Sequence, residues 1–212
     1  MKKEHVFLIF TLLLSAELLT GQEKCELIPL KGEIAVREPF QEIWLPVNQP
    51  MLLKDRITVL SRAESMANIR DYTGRLFVLP SKAQVEVREL KHLDRNALIM
   101  ELTAMEMQKL PAGSGGNTSE TAFILHGNLP DPQADDFNRN DYIVLERNGA
   151  RSLYSQGYIS GFILKTNRLM MLFPTEIFPD LEKMLIQAYD KMALPVRKQQ
   201  LVTKIQNRSK EQ

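Results

Sequence analysis

The chain has 212 residues, 44% of them hydrophobic and 25% charged, and a net charge of +1. That length buries a real core in one or two domains, and that composition excludes wholesale disorder. The near-neutral balance supplies no global field for nucleic acid or an acidic surface.

Met1-Lys2-Lys3 is a basic start, and Val6 to Leu14 is an apolar run too short to span a bilayer comfortably. We expect a signal peptide over residues 1–21, cut after Ala16 or Gly21, with an uncleaved anchor as the alternative. Glu23 and Lys24 precede Cys25, where lipid modification needs small residues, so a lipoprotein is not expected. The expected location is periplasmic or secreted. Cys25 is the single cysteine, so no internal disulfide forms. It is expected to be a free thiol near a flexible terminus, with pairing between chains as the other option.

From Gly32 to Leu90 the sequence alternates with a period of two. Gly32 to Val36, Trp44 to Val47, Leu53 to Ile57, Ser65 to Arg70, Leu76 to Pro80 and Val85 to Val87 read as short strands. Ala67 and Ile69 are expected on one face and Asn68 and Arg70 on the other. Leu76 and Val78 alternate with Phe77 and Leu79 in the same way. Asp71-Tyr72-Thr73-Gly74 is a hairpin signal. Glu86 and Glu89 are expected on the solvent side of the last strand. Ala97 to Met105 is expected to add another strand, although Glu101, Leu102, Ala104 and Met105 also suit a helix.

The order of these motifs resembles the FecR-type periplasmic domain, a small β module of bacterial envelope regulators. The resemblance rests on Trp44 followed by Pro46-Val47, on Lys54-Asp55-Arg56-Ile57, on Ser65, Ala67 and Ile69, and on the Thr73-Gly74 turn. It departs at Pro50, where the pattern favours glycine, and at Val59, where it favours threonine. It implies a periplasmic β module over residues 26–112 that meets a protein or a small ligand.

Residues 113–141 have linker composition, with Ala112-Gly113-Ser114-Gly115-Gly116-Asn117 at one end, a polar turn at Asp131 to Asp136, and a short strand expected at Thr121 to Leu125 between them. Beyond Asp141 the period changes to that of a helix. Tyr142, Leu145, Gly149 and Leu153 form one face; Phe162, Thr166, Leu169 and Phe173 a second. Leu181, Met184, Leu185, Ala188, Tyr189 and Met192 form a third, and Leu201, Val202 and Ile205 a fourth. Turns are expected at Gln156-Gly157, at Pro174 with Pro179, and at Ala193 to Pro195, with helical hairpins over 142–206 and a tail at 207–212. The spacing of Ala150, Leu153, Gly157, Phe162, Leu169 and Pro174 resembles the tetratricopeptide repeat, although Phe162 stands where that repeat carries a small residue unless Gly161 takes the place. The resemblance implies a protein-binding helical array; a plain helical hairpin pair packed on the β domain remains the alternative.

Motifs that carry chemistry are missing from the sequence. His92 and His126 lack metal-ligand spacing, and Asp131, Asp135 and Asp136 lack the calcium-loop pattern. Gly113-Ser114-Gly115-Gly116 lacks the lysine ending of a phosphate loop, and Ser114 is in no nucleophile elbow. No catalytic, cofactor-binding or metal-binding residue is therefore expected. Arg147, Arg151 and Tyr154 are the expected partner-binding residues, lining a helical groove. Arg197, Lys198, Lys204, Arg208 and Lys210 make a basic end that is solvated or touches a membrane only peripherally.

The expectation is a segregated α+β protein, a small all-β FecR-like domain followed by α-hairpin or tetratricopeptide-like helices. Its expected role is non-catalytic protein–protein binding or scaffolding in the bacterial cell envelope. Sensing of a small ligand or glycan is the alternative, and a homo-oligomer stays open. Nucleic acid is not an expected partner.

Overall fold

The computed structural model describes residues 24–107 and 138–210. Eight strands come first: β1 (Cys25–Lys31), β2 (Ile34–Arg37), β3 (Leu45–Pro46), β4 (Met51–Leu53), β5 (Thr58–Ser61), β6 (Met66–Arg70), β7 (Leu76–Leu79) and β8 (Ala83–Glu86). A 3-10 turn, Val87–Leu90, follows. Five helices complete the described residues: α1 (Arg95–Met107), α2 (Arg139–Ser155), α3 (Ile159–Leu172), α4 (Pro179–Lys191) and α5 (Pro195–Lys210). The protein is segregated α+β. The expected signal segment, the short strand at Thr121 to Leu125, the Gly113 to Gly116 run, His126 and the Asp131 to Asp136 turn lie outside the described residues.

The strands form two antiparallel four-stranded sheets, ordered β4-β1-β6-β7 and β3-β2-β5-β8. Their alternation is the physical cause of the core. Cys25, Leu27, Ala67, Ile69, Phe77 and Leu79 of the first sheet join Ile34, Val36, Val59, Ala83 and Val85 of the second in one buried cluster. The Asp71 hairpin forms as expected, with Gly74 at φ +83°. The Asp71 carboxylate fixes it by accepting from the Thr73 amide (2.8 Å), the Thr73 hydroxyl (2.7 Å) and the Arg75 amide (2.9 Å).

Four expectations change. Cys25 is no loose terminal thiol: it is fully buried in β1, a strand the sequence reading did not include. Burial first, and then the Asp71 and Asp55 charges, push this thiol up to about 12. It is therefore closed to pairing between chains while the fold is intact. Lys54 to Ile57 is a turn and not part of a strand, closed by the Ile57 amide donating to Lys54 O at 3.1 Å. Ala97 to Met105 is helix, not strand. Asp94 starts it by accepting from the Ala97 amide at 2.8 Å, and Leu98 and Leu102 then share its buried face. Glu86 and Glu89 are not on a solvated face. Glu89 is 1% exposed, because the 3-10 turn swings it under α3.

The four expected helical faces are present as α2 to α5. The turns after α2 and α4 use Gly157 and Ala193 at positive φ, and Pro179 sits in the first turn of α4. Helix α2 begins at Arg139 with Asn138 as its cap, and α5 continues through the expected tail to Lys210.

Helix α2 closes the open side of the two sheets. At the free edge of β8, Asn148 Nδ2 donates to Lys82 O at 2.7 Å. At the free edge of β7, the Gln156 amide acts as a missing strand. It accepts from the Val78 amide (2.7 Å) and donates to Val78 O (2.8 Å). The outer edges are β3, two residues ending at Pro46, and β4, three residues following Pro50. Short proline-flanked edges resist pairing with another chain.

Two glycines set how close the helices come. A Cβ on Gly149 would lie 2.0 Å from the Gln84 carbonyl oxygen, and one on Gly161 would lie 1.9 Å from the Glu89 carbonyl oxygen. Gly161 therefore faces the β module, not α2. Alanine normally stabilises a helix interior by about 1 kcal/mol over glycine. Here the clash should reverse the sign. Gly149→Ala and Gly161→Ala are each expected to lose about 1–3 kcal/mol in urea unfolding; a gain in stability from either would contradict this packing.

Candidate functional site

The contact between the sheets and the helices is built around charge. Lys165 sits mid-way along α3 and is 1% exposed. Its Nζ lies 2.8 Å from Glu146 Oε2 on α2 and 3.2 Å from Glu89 Oε2 on the 3-10 turn. Glu146 Oε1 accepts from Gln84 Nε2 of β8 at 2.5 Å. One turn along α3, Arg168 donates to Glu86 Oε2 at 3.1 Å and lies 3.6 Å from Glu89 Oε1. Arg88 sits at the rim, 2.7 Å from Glu86 Oε1.

Burial opposes ionisation of both inner carboxylates, and their partners decide the outcome. For Glu146, burial is outweighed by Lys165 and Arg168, with hydrogen bonds from Lys165 and Gln84, so its carboxyl is held below the usual range. For Glu89, burial is the stronger effect and pushes its carboxyl up, despite Lys165 and Arg168. Lys165 is raised, because the Glu146 and Glu89 charges overcome its burial, so it stays an ammonium.

A second junction lies at the Asp71 hairpin. Buried Tyr158, before α3, donates to Asp71 Oδ2 at 2.9 Å and meets Phe77 edge-on at 5.4 Å. Arg75 lies over the same ring at 4.8 Å and donates to Gln156 O. Exposed His92 stacks on Tyr158 at 5.2 Å. Burial works against the Asp71 charge, but the Thr73 and Tyr158 hydrogen bonds and two backbone amides hold its carboxyl below the usual range.

The residues expected to bind a partner also make contacts within the fold. Arg147 donates to Asp180 through Nη2 (2.6 Å) and Nε (3.2 Å), and Arg151 Nε donates to the same carboxylate at 2.8 Å. Tyr154 donates to Gln187 at 2.6 Å. These bonds tie α2 to α4 and leave the three side chains part-exposed. In the basic end, Arg197 pairs with Glu106, Lys198 with Asp190 and Arg208 with Glu182. Among the described residues, no group of three or more His, Cys, Asp or Glu side chains is placed to hold a metal ion. None of the described helices is long and apolar enough to cross a membrane.

Sequence reasoning missed two features. One is the buried Lys165 cluster; its signal was a lysine and an arginine three apart as the only charges of a mostly apolar helix. The other is the outer face of the β4-β1-β6-β7 sheet. Pairing aligns Leu52, Glu26, Arg70 and Leu76 in one row and Ile28, Asn68 and Val78 in the next. Leu52, Leu76 and Val78 are exposed, as are Leu30 and Met66 near one end of the face. The Glu26–Arg70 pair at 3.4 Å balances the charge in their midst. An open cleft of about 400 Å³ lies elsewhere on the β module, lined by Glu38, Pro39, Lys54, Asp55, Arg56 and Ile57.

Comparisons with protein-family models, curated proteins and solved structures found no match.

The inner ion pairs should matter far more than the outer ones. Lys165→Met strands a buried carboxylate and is expected to cost about 3–5 kcal/mol. Arg151→Met breaks an exposed contact and should cost about 0–1 kcal/mol. Urea unfolding of the two variants checks this, and equal losses would contradict it.

Proposed function

We propose that this protein is a non-catalytic binding module of the bacterial cell envelope, periplasmic or secreted, which docks another protein on the outer face of its β4-β1-β6-β7 sheet. The observation that carries this reading is the exposed apolar set Leu52, Leu76 and Val78 around a neutralised Glu26–Arg70 pair. Solvent-facing sheet positions are usually polar, and here exposed apolar side chains on β4 and β7 flank the central Glu26–Arg70 pair, a mixed face of the kind that interfaces use. The face carries no net charge from its central pair, so it fits an apolar, weakly charged protein patch and not an anionic polymer. Strand addition is disfavoured, because the sheet edges are short, proline-flanked or covered by α2. The FecR-type resemblance supports the envelope setting. Arg147, Arg151 and Tyr154 are secondary contacts in this reading, since a partner meeting them would compete with Asp180 and Gln187.

The cleft at Lys54, Asp55 and Arg56 favours a second reading, recognition of a small polar ligand or glycan by the β module. Photo-crosslinking in cells separates the two. A crosslinking residue is placed in the full chain at Leu52, at Leu76, at Arg56 or at Val196 on α5. The first reading predicts one protein adduct from Leu52 and Leu76, absent from Val196 and lost when the neighbouring face residue is changed to aspartate. Adducts from Arg56 alone, or none from the sheet face, would overturn it.

A further inference from the structure

The inner ion cluster is short of one positive charge. Glu89, Glu146 and Lys165 are the members most completely shut from water, with side chains at 0%, 6% and 1% exposure. That is two carboxylates for one ammonium. The Arg168 guanidinium is spent on Glu86 at 3.1 Å and reaches Glu89 only at 3.6 Å, without a hydrogen bond. Arg88 serves the outer oxygen of Glu86 at the solvent rim. Tyr142 of α2 also faces Arg168. An uncompensated charge in such a place is costly enough that the group takes up a proton instead.

The two carboxylates are not equivalent. Both Glu146 oxygens are bonded, at 2.5 Å to Gln84 and 2.8 Å to Lys165. Glu89 Oε2 accepts from the Glu86 amide at 3.0 Å and from Lys165 at 3.2 Å. Glu89 Oε1 is buried and accepts no hydrogen bond. A proton on Glu89 removes the buried charge that this unbonded oxygen would otherwise share. Gln84 Oε1, a second buried acceptor without a partner, belongs to the same junction.

We propose that the junction is a proton-loaded latch: Glu89 carries a proton in the folded protein at neutral pH, and that proton brings the inner cluster to zero net charge and holds α2 and α3 on β8. The direction of the Glu89 shift agrees, since burial raises it and its cations do not cancel that effect. The sign follows. A carboxyl raised in the fold binds its proton more tightly there than in the unfolded chain. Its contribution is fully present below the unfolded value and is lost as pH rises through the folded value. Glu146 has the opposite sign, and its contribution is lost as pH falls. The latch therefore loosens toward alkaline pH, by up to about tenfold in the folding equilibrium per pH unit for one proton.

Infrared difference spectroscopy on the full protein tests this directly. The wild type should show a protonated-carboxyl stretch at neutral pH that titrates away with alkali, and Glu89→Gln should lack it. Urea unfolding from mildly acidic pH up to the pH at which that band disappears should show wild-type stability falling with pH, and a flatter profile for Glu89→Gln. Absence of the band in the wild type at neutral pH would overturn the proposal. So would its persistence in Glu89→Gln, or an unchanged pH slope in that variant. If Glu89→Gln fails to fold, the wild-type titration still decides.

Discussion

The Lys165 ammonium has no route to water, so its environment must replace a hydration shell. Glu146 and Glu89 do this from two different elements, one on a helix and one on the turn that ends the sheets. Neither half of the molecule satisfies Lys165 alone. Buried polar clusters of this kind contribute little net stability against a well-packed apolar alternative, but they are severe about geometry. We attribute the fixed placement of α2 and α3 on β8 to that severity. Gly149 and Gly161 are its steric counterpart, because the charges meet only if the helix backbones approach the Gln84 and Glu89 carbonyls closely.

That docking shapes the rest of the surface. Two open sheets would otherwise present the β7 and β8 edges side by side. Helix α2 covers both, with Asn148 at one and the Gln156 side chain at the other. Tyr158 adds an aromatic anchor between the Asp71 hairpin and α3. With the β7 and β8 edges covered, the outer face of the first sheet still turns Leu52, Leu76 and Val78 to solvent. The binding reading therefore depends on the same junction that holds the two halves together.

Much of this architecture was legible in the sequence. Alternation put Ala67 with Ile69 and Phe77 with Leu79 on shared faces, which the structure buries, and Asp71 to Gly74 at the hairpin. Helical spacing identified all four helices of the second half. What was not legible depended on contacts between distant residues. Glu86 and Glu89 look solvated from their local pattern, and only α3, about eighty residues later in sequence, explains their burial. Arg147, Arg151 and Tyr154 look free on one helix face, yet α4 supplies Asp180 and Gln187 opposite them. Pro29 hid β1, since it sits beside the register shift where a missing amide is tolerated. Asp94 capped a segment whose composition alone left strand and helix open.

The central claim is that sheets and helices form one cooperative unit. Trp44, the sole tryptophan, lies in the β module, while circular dichroism reports chiefly on the five helices. Equilibrium urea unfolding followed by both signals is the most direct test. Coincident curves with one midpoint are the predicted result. Tryptophan and helical signals that melt at separate midpoints would mean that the Lys165 junction does not couple the halves, and would contradict the account.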